Sequence, residues 1–363
     1  MSIVTGRALP PQTEGELIEC GLASIRERLP SGWILDDMMP KLGSSRAKAA
    51  TALRSPTGEE VRILIETRRL VDARDVSRIT ELLSSTRDGE SSGIGLVVSR
   101  YLTKTTRDRL AEAGLSYVDA TGNLLLRSSS PAVFLSDRGA DRDPWRGPGR
   151  PLGTLKGEPA AKVVRALLDL PGPWKIRDLI SRSEVATGSA YRVVEFLESE
   201  ALAARDEDGL ITIPDWVALL RRWSNDYGFL QTNAVTQWIA PRGLETMLES
   251  IRNSTVADYA VTGSVAAATW AAYAPARSAM IYALHPEQLA NEWGLRATDT
   301  GANVLIARPK FGVALTRSID RADGLRVAAP TQVAVDLMTG PGRAPSEAEE
   351  LIDWMGRNEQ LWR

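Results

Sequence analysis

The stretch from Glu184 to Ile213, EVATGSAYRVVEFLESEALAARDEDGLITI, decides how the rest of the chain is read. It opens with small polar residues, takes up a helical period, and ends in an acidic turn before Leu210, Ile211, Thr212 and Ile213. Ala190, Val193, Val194, Leu197 and Ala201 recur at helical spacing and form one inward stripe. Thr187, Ser189, Tyr191 and Arg192 then fall on the outward side of the first turns. Asp206 to Gly209 reads as a turn, because Asp and Gly supply its local hydrogen bonds and dihedrals. Leu210 to Ile213 is the return strand. Such a helix and hairpin are either a DNA reader with its wing or an ordinary packed pair.

The residues upstream favour the first reading. Val163, Val164, Leu167 and Leu168 mark one helix, stopped by Pro171-Gly172-Pro173. Ile176, Leu179 and Ile180 mark a second in WKIRDLISRS. Three helices and a hairpin within residues 159–213 give the order of a winged helix-turn-helix, whose third helix lies in the major groove. Small hydroxyl side chains and one arginine on that helix suit base edges or phosphate. Lys175, Arg177 and Arg182, on and beside the second helix, suit phosphates. The expected DNA-binding set is Lys175, Arg177, Arg182, Thr187, Ser189, Tyr191 and Arg192, with Ser189 and Arg192 helping to choose sequence. Glu195, Glu198, Glu200, Asp206, Glu207 and Asp208 repel phosphate, which confines the basic contact to the linker, the second helix and the start of the third.

Working outward, residues 1–137 alternate strands and helices. GWIL, AATALRS, EEVRILIET and IGLVVS read as strands, and Asp72 to Ser84 and Thr103 to Gly114 as helices. This is the pattern of a small α/β domain. Residues 138–158, rich in Gly, Pro, Arg and Asp, read as a linker whose basic second half, Arg146, Arg150 and Lys156, could lie on phosphates. Residues 214–245 read as connecting helices. Residues 246–363 alternate again: DYAVTG, ARSAMIYAL and NVLIARP as strands, SVAAATWAAY, HPEQLANEWGL, PTQVAVDLMTG and PSEAEELIDWMGRNEQLW as helices. The expected architecture is multidomain, α/β and α+β.

Composition removes several function classes. The 363 residues are 43% hydrophobic and 25% charged, ordinary globular values that supply several cores. The net charge is -2, so any nucleic-acid site must be a local patch. A single cysteine, Cys20, rules out an internal disulfide and points to the cytoplasm. No signal-peptide pattern and no apolar run of about 18 residues is read, so no membrane role is expected. His285, the only histidine, sits in ALHPEQL at a helix start rather than beside a serine nucleophile. With one His and one Cys, a zinc site would need several carboxylates.

The string SAYRVVEFLESEAL with its hairpin resembles the winged-helix domain of AbiEi-type transcriptional regulators, the antitoxins of type IV toxin–antitoxin systems. YAVTGSVAAATWAAYAP, GANVLIARP and AAPTQVAVDLMTGPGR resemble the nucleotidyltransferase-like domain of related regulators. These strings cover roughly the second half of the chain. The first domain resembles a restriction-endonuclease-like fold, with EEVRILIETRR in the place of its metal-binding strand. The resemblance implies that the winged helix binds the promoter of its own operon.

Both enzyme readings run short of acids. A restriction-type nuclease needs an Asp on one strand and Glu-x-Lys on the next, the carboxylates holding a divalent metal. This chain offers Glu66-Thr67-Arg68, no acid in AATALRS, and Asp36 and Asp37 in a separate segment. Arginine stays protonated and cannot act as base. A nucleotidyltransferase needs Gly-Ser after one strand and two acids on the next. Gly263-Ser264 fits the first half, but Ser278 to Tyr282 carries no acid. Gly263 and Ser264 could still hold a nucleotide through backbone amides. The expectation is therefore a non-enzymatic, cofactor-free regulator with no catalytic or metal residues. It binds double-stranded DNA as a homodimer, since twofold sites are common for such readers. The rivals are a metal-dependent DNA nuclease and an antitoxin that neutralises a toxin or other protein without a DNA role.

Overall fold

In the computed structural model, the described residues are 10–11, 13–37, 47–84, 93–145, 154–254, 256 and 258–363. The chain divides into two compact units, Met1–Arg150 with Glu198–Ala201, and Pro151–Leu197 with Leu202–Arg363. Both are mixed α/β.

The first unit begins with α1 (Glu14–Arg26), β1 (Ile34–Leu35), β2 (Ala49–Arg54) and β3 (Glu60–Arg68). It continues with α2 (Val76–Ser84), β4 (Ile94–Ser99), α3 (Lys104–Glu112), β5 (Ser116–Asp119), β6 (Leu124–Ser129) and β7 (Ala132–Asp137). Its seven strands lie side by side in chain order. β3, β4 and β5 run parallel and the outer pairs antiparallel. Parallel neighbours need crossovers, and α2 and α3 supply them. Alternation along β3 builds both faces: Val61, Ile63 and Ile65 join the core that holds Leu17, Leu22 and Ile25 of α1, while Leu64 joins that of Ile79, Leu83 and Leu110. Gly21 lets α1 lie close on the sheet, since a Cβ there would come 2.9 Å from Val118 and 3.0 Å from Val98.

In the second unit α4 (Glu158–Asp169), α5 (Ile176–Ser183) and α6 (Thr187–Ser199) precede a hairpin of β8 (Ala204–Arg205) and β9 (Ile211–Thr212). Then come α7 (Trp216–Ser224), α8 (Phe229–Thr232), β10 (Ala234–Ile239), α9 (Leu244–Arg252), β11 (Tyr259–Thr262) and α10 (Gly263–Ala267). The chain continues through β12 (Ala279–Ala283), α11 (Pro286–Glu292), β13 (Arg296–Ala297), β14 (Val304–Arg308), β15 (Ile319–Asp320) and β16 (Arg326–Val327). It closes with α12 (Pro330–Met338), α13 (Ala344–Arg357) and α14 (Glu359–Trp362). The sheet order is β13-β10-β14-β12-β11-β16-β15, with β12/β14 and β11/β16 parallel.

Three features depart from the sequence reading. Residues 214–245, read as connecting helices, contain β10, which pairs with β14 over five residues. AVTQWI alternates only weakly, and its burial on one edge comes from its partner strand. The helix read across SVAAATWAAY ends at Ala267, where Trp270 turns to pack against Trp354. Finally, the segments read as a winged helix and a separate C-terminal domain share one hydrophobic core from Leu155 to Trp362. α4 contributes Val163, Val164, Leu167 and Leu168, α7 Leu219, Leu220 and Trp223, and α12 Val333, Ala334 and Leu337.

Candidate nucleic-acid interface

The surface read as a DNA contact begins at α5. Lys175 precedes that helix as its N-cap and is exposed, as are Arg177 and Arg182 along it. The helix stops because Glu184 adopts a left-handed conformation, φ 52°. That bend redirects the chain into α6 three residues later. α6 buries Ala190, Val194 and Leu197, which presents Thr187, Tyr191, Arg192 and Glu195 to solvent. Tyr191 is 41% exposed, unusual for an aromatic side chain with a core beside it. Ser189 is half-buried.

The hairpin is tied to the helices by a backbone bridge. Trp174 N–H donates to Ile211 O and Ile211 N–H donates to Trp174 O, both at 2.8 Å. At the tip, the Asp206 carboxylate accepts from the amides of Asp208 and Leu210 at 3.0 and 2.8 Å, so it closes the turn. Glu207 and Asp208 remain exposed and keep the tip acidic. Glu200, read as a surface acid, is buried.

Arg192 does not extend straight outward. Its Nε–H donates to Gly188 O at 2.9 Å and its Nη2 to Ser189 Oγ at 3.3 Å. The guanidinium therefore folds back along α6. There it lines an open groove with Thr154, Lys156, Pro159, Ser189 and Phe196. The structure thus brings Ser189 and Arg192 together with Lys156, while Thr187 and Tyr191 lie outside that groove.

The other two candidate sites have different surroundings. Gly263 is buried with φ +66°, and a Cβ there would stand 2.9 Å from Met280 Sδ. It makes a tight turn against β12. Ser264 is half-buried in a helix of only five residues. In the first unit Glu66 is buried and accepts from Arg68 Nε at 3.0 Å. Asp36 pairs with Arg54 at 2.8 Å and Asp37 with Arg26 at 3.1 Å, so these acids are engaged elsewhere. Among the described residues no three His, Cys, Asp or Glu side chains converge where they could hold a metal ion. No helix among them is long and apolar enough to cross a membrane.

Sequence reasoning missed a buried polar cluster beneath the Gly263 turn. Arg165, 2% exposed, donates to Asp169 Oδ2 at 2.9 Å, Val313 O at 3.0 Å, Gln332 Oε1 at 2.8 Å and Thr316 O at 3.0 Å. Asp169 also accepts from Thr331 Oγ1. Gln332 donates onward to Asp336 Oδ1 at 3.0 Å. Asp336 accepts further from Tyr282 OH at 2.8 Å and Thr262 Oγ1 at 2.7 Å. Burial without a directly bonded cation pushes the Asp336 carboxyl up to about 7, against three hydrogen bonds and the Arg165 charge that pull it down. Burial also pushes the Tyr227 phenol, 3.2 Å from Tyr282 OH, up to about 12. The available signal was Arg165 and Asp169 four apart inside the apolar run VVRALLDL, and Asp336 inside QVAVDLM.

No family model matches the chain, and no curated protein matches it. A solved structure of EndoMS in apo form matches at 20% sequence identity and a TM-score of 0.22. That match covers 30% of this chain and 46% of the other, so it spans less than half the length of that protein.

Proposed function

We propose that the chain is a sequence-specific, double-stranded-DNA-binding transcriptional regulator, acting by occupying a promoter. In this reading α4 to β9 is a winged helix-turn-helix with α6 as its recognition helix. The residues before it form a degenerate endonuclease-like domain, and those after it an inactive nucleotidyltransferase-like domain. The observation that carries the reading is the outward face of α6. Thr187 and the exposed Tyr191 stand free of the core, flanked by exposed Lys175, Arg177 and Arg182. Phosphate contacts from the cations position the helix, and the side chains on its first turns meet base edges. A homodimer on a twofold site follows from how few bases one such module covers.

Against the nuclease reading stands that Glu66 is held by Arg68, and that no three potential metal ligands converge among the described residues. The test is fluorescence anisotropy of the full chain on its own upstream DNA and on a scrambled duplex, at two salt concentrations. Selective binding that a T187A/Y191A variant loses is the expected result. Equal binding to both duplexes that disappears with salt would leave only charge attraction. An antitoxin acting on a protein partner would then be the better reading.

A further inference from the structure

The groove beside α6 has an unusual charge. Among the described residues that line it, the two ionisable ones are Lys156 and Arg192, and none is a carboxylate. Lys156 is exposed and makes no hydrogen bond or ion pair among the described residues. Among the described residues Arg192 is bonded to neutral acceptors, Gly188 O and Ser189 Oγ, and neither cation is paired with an acid, although the chain as a whole carries a net charge of -2. Glu158 pairs with Lys162 at 3.2 Å, and Asp226 pairs with Arg222 at 2.8 Å while accepting from Leu155 N–H at 2.7 Å; Glu195, one turn along α6 from Arg192, is exposed and lies outside the groove lining. The bond from Leu155 to Asp226 also fixes the backbone on which Lys156 stands. Pro159, Ala160, Val193 and Phe196 give the groove an apolar part of its lining.

We propose that Lys156 and Arg192 together clamp a single phosphate of the nucleic-acid backbone. Arg192 then positions the DNA and does not choose its sequence. That choice falls to Thr187 and Tyr191, which face away from the groove. The inference rests on the DNA-binding reading above and reverses the role that sequence pattern gives Arg192. Its physical basis is geometric. An arginine that reads guanine must reach the base edge with two N–H donors. Here Nε–H and one N–H of Nη2 are bonded to residues 188 and 189, which folds the guanidinium back along α6 into the groove that Lys156 lines, where two cations meet one phosphate. A lysine opposite supplies a point charge without directional demand.

The experiment compares the full chain with K156Q and R192Q, both surface substitutions that leave the core untouched. Each variant should lower affinity for the cognate and the scrambled duplex by the same factor, about threefold to tenfold, and reduce the salt slope, by no more than about 0.9 because one phosphate is held by both cations. The ratio of affinities for the two duplexes should stay fixed. A changed ratio in R192Q, or an unchanged salt slope in both variants, overturns the proposal while leaving DNA binding intact. A second arm uses inorganic pyrophosphate and follows the Arg192 Nε–H resonance by NMR, assigned through its loss in R192Q. If the chain binds no DNA but pyrophosphate moves that resonance, and K156Q abolishes the movement, the groove takes a free phosphate and the promoter reading is what fails. No DNA binding and no movement overturn both.

Discussion

Replacing Asp336 with asparagine should remove one component of the pH dependence of the second unit's stability, the part that the buried Asp336 carboxyl supplies. Asp336 is fully buried and accepts from Thr262, Tyr282 and Gln332, all neutral donors. The nearest cation, Arg165, is bonded to Asp169 and reaches Asp336 only through Gln332. The carboxyl is raised from 3.8 to about 7. A raised carboxyl favours the neutral form in the folded chain. Its contribution to stability is therefore fully present below pH 3.8 and is lost as pH rises through 7. At about 1.36 kcal/mol for each of roughly three pH units, the loss is of the order of 4 kcal/mol. This is an upper bound, because slight opening of the cluster would let water share the charge. Asparagine stays neutral, and its carbonyl can still accept from Tyr282 and Gln332 while its amide donates to Thr262 Oγ1. Urea unfolding followed by tryptophan emission suits the test, since only Trp33 and Trp145 of the ten tryptophans lie in the first unit. Between about pH 4.5 and 8, the stability of D336N relative to the native chain should rise by up to roughly 3 kcal/mol. Titrations common to both proteins cancel in the difference. A difference that does not change with pH would refute the reasoning, whatever its sign.

Two further substitutions probe the same region. R165M should destabilise the second unit by about 3–5 kcal/mol, because Asp169 and two backbone carbonyls lose their donor inside the core; a loss below about 1 kcal/mol in urea unfolding would mean that the cluster is hydrated. Adding D169N should restore part of that loss. G263A should cost about 1–3 kcal/mol, from a left-handed alanine and from a Cβ driven against Met280. The double variant G263A/M280A separates these causes: relief by the second change assigns the cost to sterics, and its persistence assigns it to the backbone.

Part of the first unit was legible from its strands, since EEVRILIET alternates at its start and IGLVVS is a short apolar run. EEVRILIET places Val61, Ile63 and Ile65 on one face without reference to any other segment, and β3 forms there. The three helices and hairpin were legible for the same local reason, helped by Pro171-Gly172-Pro173 and the Asp206 turn. β10 was not, because AVTQWI has a weak period and its strand identity comes from β14. Asp336 was not, because one acid in an apolar helix reads as an ordinary surface residue until its three partners from other elements are known.

The sequence by itself determined most local elements, the absence of an internal disulfide, and the outward placement of Thr187, Tyr191 and Arg192 on α6. These depend on neighbours within a turn or a strand, where spacing alone sets direction. Only the tertiary structure decided that the helices of residues 158–199 share a core with the C-terminal sheet, that Glu200 is buried, and that Arg192 folds toward Lys156. Those outcomes depend on which surfaces meet across scores of residues. A side chain's charge and burial are set by what arrives opposite it, and one-dimensional spacing carries no record of that arrival.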